Sequence, residues 1–206
     1  MAHTLRPYRD YSEHDVVNLF AFDGAQDANG VIATAGTVVK VAGNGFQPVA
    51  DSTLGGGTGF LGAIPVDLGG TLSIPGLSNV VSNRYVLTAK VQAANSGSAP
   101  LGITLMSTQE LDENGEKLVF NPRKAAEKGV VISGQAVPVL TRGIIVYSGS
   151  EIDNTAVVGA GVYISNLNPG ELSTVNSTAN GVTPTNKVGT LLSKPVNKIA
   201  LIKLNF

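Results

Sequence analysis

The sequence has no cysteine and no tryptophan, and its only histidines are His3 and His14. Without cysteine there can be no disulfide, thiolate zinc site, iron–sulfur cluster or thiol nucleophile. With both histidines near the N-terminus, a typical transition-metal site cannot be assembled. No metal or cofactor is therefore expected, calcium held by carboxylates and carbonyls being the one escape. Charge is scarce too: 14% of residues are charged, against about 25% in an average soluble domain. The formal net charge is −1 and no Lys/Arg run occurs, so nucleic-acid binding by phosphate neutralisation is not expected. Long hydrophobic runs are missing. The longest uncharged stretch, Val91 to Gln109, is interrupted by Asn95, Ser96, Gly97, Ser98 and Pro100 and makes no membrane span. The N-terminus lacks the apolar run of a signal peptide, which leads us to expect synthesis in a cytosol.

What is present suits a β protein. The 206 residues allow one generous domain or two small ones, and a chain of that length buries roughly 70% of its unfolded surface. Hydrophobic residues make up 43% and glycine occupies 25 positions. That is too apolar for disorder and too glycine-broken for long helices, each internal glycine costing about 1 kcal/mol. Val31–Val41, Tyr85–Val91, Gly143–Tyr147 and Lys198–Leu204 are alternating or β-branched runs bounded by Gly, Asn, Pro and Ser, the signature of strands. Asn-Gly pairs begin at Asn29, Asn44, Asn114 and Asn180 and mark tight turns. The clearest hairpin runs out over Ile103–Leu111, turns at Asp112–Gly115 and returns over Glu116–Phe120. One helix is signalled. Asn121 can cap it, Pro122 fits its first position, residues 123–128 are good formers and Gly129 supplies a left-handed stop.

The expected fold is all-β: β-barrel or sandwich modules with an extended N-terminal arm and one short helix near 122–128. The texture divides the chain into an arm at 1–24, a β-rich module at 25–128 and a small β-barrel module at 129–206, with the helix at the junction. Residues 1–24 are polar and carry Arg6, Arg9, Asp10, Glu13, Asp15 and Asp23 among Tyr8, Tyr11 and Phe20. Such termini are mobile unless docked, so a chain cut after Asp15 is expected to fold. Arg and Tyr anchor interfaces when buried, which makes Arg6, Tyr8, Arg9 and Tyr11 the candidate partner-binding residues.

Chemical motifs are few. Gly57–Gly62 spells G-x-G-x-x-G, but a dinucleotide site needs a strand before it and a helix after it. Here a loop precedes it and Ala63-Ile-Pro65 follows, so it reads as a glycine loop. Asp112–Glu116 is a fragment of a calcium loop between strand-like runs and reads as a turn. With histidine only in the expected arm, no Ser-His arrangement can be drawn, and no carboxylate pair stands out for glycoside hydrolysis. No enzymatic activity is expected.

A family resemblance lies in the C-terminal third. Ala136–Tyr147, Gly159–Ser165, Gly170–Ser173, Ala179–Gly181, Lys187–Ser193 and Ala200–Leu204 give a "G-x-x-V-Y" strand, a glycine-marked hairpin, a "VG" strand and a closing "V-x-L" strand. This succession resembles the small β-barrel of tailed-bacteriophage capsid decoration (cement) proteins. The opening Leu5–Asp15 is similar to N-terminal segments of phage virion proteins. The resemblance implies a structural protein on the outer capsid surface, made in the host cytoplasm. It would bind the major capsid protein as a homo-oligomer, commonly a trimer, and bridge its subunits. Two other readings stand beside it: a fibre or adhesin module binding host glycans, and a β-rich hydrolase with a carboxylate pair.

Overall fold

The computed structural model describes residues 3–7, 10–25, 27, 30–42, 90–174 and 187–206. Fifteen strands are defined among them. In chain order these are β1 Thr4–Pro7, β2 Val16–Val17, β3 Ala21–Phe22, β4 Val31–Ala33, β5 Val38–Val41, β6 Lys90–Ala93, β7 Gly102–Thr104 and β8 Ser107–Gln109. After the helix α1, Pro122–Lys128, come β9 Val130–Ile132, β10 Val139–Leu140, β11 Arg142–Ser148, β12 Gly161–Ile164, β13 Leu172–Ser173, β14 Lys187–Leu191 and β15 Ile199–Asn205. The all-β expectation holds.

The strands form three sheets, ordered β1-β11-β15-β14-β12-β13, β2-β10-β7-β5-β6-β3 and β4-β8-β9. Alternation explains their stacking. In the middle sheet Val38, Ile103 and Leu140 turn to one core, shared with Leu5, Ile145, Tyr147, Ile202 and Leu204 of the first sheet. Their neighbours Val39, Val91 and Val139 turn the other way and pack with Ala33 and Val131 of the third. The middle sheet is thus buried on both faces, the centre of a three-layer sandwich. Each fully buried Ile or Leu stabilises it by roughly 1.5–3 kcal/mol.

The helix forms where its local signals put it. Asn121 accepts from the Lys124 N–H at its N-terminus, and Gly129 stops it at φ 64°. It does not join two modules, however. It lies in the crossover between β8 and β9, which pair in parallel, a geometry that hairpins cannot make.

Two further expectations are corrected. The division at 128/129 cuts through paired elements. The later β9 sits beside β8, and β10 lies between β2 and β7, so the change of sheet comes after Leu140. Nor do residues 1–24 form a separate arm. β1 pairs with β11 in register Leu5↔Tyr147, β2 pairs with β10, and Leu5, Phe20 and Phe22 are buried. Apolar side chains at alternate positions outweigh the polar composition around them. The glycine loop 57–62 and the Asn44 and Asn180 turns lie outside the described residues.

Candidate functional site

The N-terminal strand brings a buried polar cluster with it. His3 Nε2 lies 3.0 Å from Thr34 Oγ1 and 3.1 Å from Thr37 Oγ1, while Nδ1 lies 3.6 Å from Glu171 Oε1. Glu171 in turn accepts from Ser150 Oγ at 2.8 Å. The imidazole stacks on Tyr147, centroids 6.0 Å apart at 18°. Gly36 makes the room: at φ +94° it faces Leu5 Cβ and His3 Cδ2, where any side chain would collide. Burial pulls the His3 pKa down, and the Glu171 charge opposes it. The cluster borders a groove of about 370 Å³ that also takes in Phe22, Asp23 and Asp27.

A hydroxyl, an imidazole and a carboxylate in series can activate a nucleophile. Acyl transfer also needs free donors for the oxyanion. The three N–H groups after Thr34 are spent: Ala35 donates to Ser107 Oγ, Gly36 to the Thr104 carbonyl and Thr37 to the Thr34 carbonyl. The set pins β1 to the β4–β5 turn and to the loop before β13. Its sequence signal is the period-two burial of His3 and Leu5 between exposed Thr4 and Arg6.

The sequence-predicted anchors do not converge. Arg6 is exposed on β1. Tyr11 lies half-buried with its ring against Gly143, and its hydroxyl donates to the Ile144 carbonyl at 2.8 Å, so it straps the chain to its own sheet. Tyr8 and Arg9 lie outside the described residues.

The calcium-like fragment is a turn, as read, with an ammonium ion among its carboxylates. Asp112 Oδ1 accepts from the N–H groups of Asn114 and Glu116 at 2.8 Å. Lys124 Nζ lies 2.7 Å from Asp112 Oδ2 and 2.8 Å from Glu113 Oε1, and Lys128 lies 2.6 Å from Glu113 Oε2. The return run makes a single bridge, Leu111↔Lys117, and then winds into a 3-10 turn at Leu118–Phe120. Hydrogen bonding to Lys124 lowers both acids to about 2. Because the folded values are depressed, the clamp's contribution is present above the ordinary carboxylate range and is lost as pH falls through about 2. Carboxylate NMR titration should place both midpoints near 2 and show them rising toward 3.8 and 4.5 in Lys124→Ala. Unmoved midpoints would show that Lys124 does not clamp the turn.

Two surfaces face outward at opposite ends of the first sheet. At one, the loop after β11 runs beside the β14–β15 hairpin, tied by Gly159 N–H to the Leu191 carbonyl at 2.9 Å and Leu191 N–H to the Ala160 carbonyl at 3.0 Å. Val157, Val158 and Val196 are 69%, 60% and 65% exposed there, beside Ile199 and Leu192. At the other end Arg142, Lys187, Thr190, Lys203 and Asn205 line a polar groove of about 450 Å³.

Among the described residues no group of three or more acidic or histidine side chains could hold a metal, and no helix is long and apolar enough to cross a membrane. No family model, curated protein or solved structure matches the chain.

Proposed function

We propose that the protein is a structural virion component that binds the outside of a tailed-phage capsid and stabilises the shell by bridging major capsid protein subunits. The observation that carries this reading is the apolar rim of Val157, Val158 and Val196. Exposed apolar side chains gathered at one end of a sheet are what a docking surface needs. The sequence resemblance over Ala136–Phe206 supplies the class of partner. In this reading the activity is mechanical and no bond is made or broken. Each subunit adds contact area across a seam between capsomers, and a homotrimer multiplies weak contacts by avidity.

Purified protein should have a trimer's mass in light scattering and co-sediment with expanded phage heads that lack it. Replacing Val157, Val158 and Val196 together by Ser removes little buried area within the chain, so melting should shift by only a few degrees. Head binding should weaken at least tenfold, about 1.4 kcal/mol. Intact protein that stays in the supernatant, or a triple variant that binds equally well, overturns the reading. Saturable binding to a host glycan without head binding would favour the adhesin alternative.

A further inference from the structure

We propose that the polar groove at the far end of the first sheet binds a carboxylate-rich segment of a partner polypeptide, independently of the apolar rim. The register builds it. Arg142 of β11 pairs with Asn205 of β15, and Thr190 of β14 pairs with Lys203. Period two then sets Arg142, Lys203, Asn205 and Thr190 on the outward face, opposite the inward Ile145, Ile202 and Leu204. β14 shifts register against β12 between Val162 and Tyr163, bringing Tyr163 opposite Lys187. Lys187 and Thr190 both line the groove while Val188 between them is buried.

The chemistry of the walls selects the ligand. Every charged side chain among the lining residues is a cation. Among the described residues Lys187 and Lys203 have no carboxylate partner, and Arg142 has one: its Nε and Nη2 both lie 3.1 Å from Asp15 Oδ1. The groove's own arginine thus already holds a carboxylate, and its fork retains further donors for a second. Thr190 and Asn205 add neutral hydrogen-bonding groups beside the ammonium heads. A nucleic-acid strand fits less well. The chain as a whole is negative, and no lining residue is aromatic, so there is no platform for bases to stack upon. An acidic peptide needs only the local cations.

The placement has a mechanical consequence. The groove is formed by the first residue of β11 and the last residues of β15, whereas the apolar rim lies past the other ends of the same strands. Along seven-residue strands at ~3.3 Å per residue the two surfaces stand about 20 Å apart. One rigid sheet can therefore hold two partners, or two sites on one partner, at a fixed spacing.

The test uses the full chain and a fluorescent octaglutamate peptide, followed by anisotropy at low ionic strength. Binding should be saturable and should weaken steeply with salt. Lys187→Glu with Lys203→Glu should weaken it at least tenfold, and Lys187→Ala alone should weaken it severalfold should the double variant fold poorly. Amide NMR shifts on adding peptide should fall on Lys187, Thr190 and Lys203. No saturable binding, unchanged affinity in the variants, shifts elsewhere on the molecule, or tighter binding of an octathymidylate strand than of octaglutamate would each overturn the proposal. The readout does not involve phage heads, so it stands or falls apart from the capsid reading.

Discussion

A chain that begins at Val16 is expected to lose cooperative folding. The cut takes away β1, and with it an edge strand whose four residues pair with Ile145–Ser148. It strips Leu5 from the larger core; truncating a buried leucine alone costs about 2–5 kcal/mol. It also removes His3, leaving Glu171, itself buried, without the imidazole that faces it. Glu171 keeps its hydrogen bond from Ser150, so this loss is smaller than the ~1–3 kcal/mol of a fully orphaned buried polar group. Tyr11 goes as well, uncovering Gly143 and the Ile144 carbonyl. The sum approaches the whole stability of an ordinary domain, about 5–15 kcal/mol. Thermal unfolding followed by circular dichroism should show a broad, early or absent transition. A shortened chain that melts within a few degrees of the intact one would restore the separable arm that composition suggests.

The sequence misleads about that arm because composition and periodicity disagree there. Polar residues dominate the count, yet among the described residues burial needs only His3, Leu5 and the run Phe20–Phe22 to face inward. Where a structure depends on neighbours in sequence, reading it is straightforward. The helix at Pro122–Lys128 is set by Asn121, Pro122 and Gly129, all within one or two turns. The turn at Asp112–Gly115 is likewise local. Runs that look continuous are harder. Val31–Val41 splits at Gly36 into β4 and β5, which join different sheets, and Ile103–Leu111 splits between β7 and β8 in the same way. Nothing in either run says which core each half will meet. The parallel pairs β3 with β6 and β8 with β9, and the cationic groove, depend on residues far apart in the chain. Arg142, Lys187 and Lys203 become neighbours only once the register of three strands is fixed.

Tyr147 should be among the most sensitive single positions of the described residues. It is wholly buried and touches both His3, next to β1, and the backbone of β13. One face of its ring stacks on His3. Its hydroxyl oxygen accepts the Leu172 N–H at 3.0 Å, and Gly149 packs against the ring edge at a distance no side chain would permit. Burial pushes the phenol pKa up, with Glu171 and Glu151 adding to the rise, so the group stays neutral past the usual tyrosine range. Two substitutions separate its roles. Tyr147→Phe keeps the packing but leaves the Leu172 N–H buried without an acceptor, which should cost about 1–3 kcal/mol. Tyr147→Ala also opens a cavity under His3 and should cost about 3–5 kcal/mol. For a chain of this size, each kcal/mol moves the melting temperature by about 2–4 °C, so the alanine variant should melt about 10–15 °C early and the phenylalanine variant by about half that or less. Calorimetry on both checks the ordering. Equal losses would mean that the hydrogen bond to Leu172 carries the whole effect, and a Tyr147→Ala loss below about 1 kcal/mol would show that this ring does not anchor His3 and the start of β1.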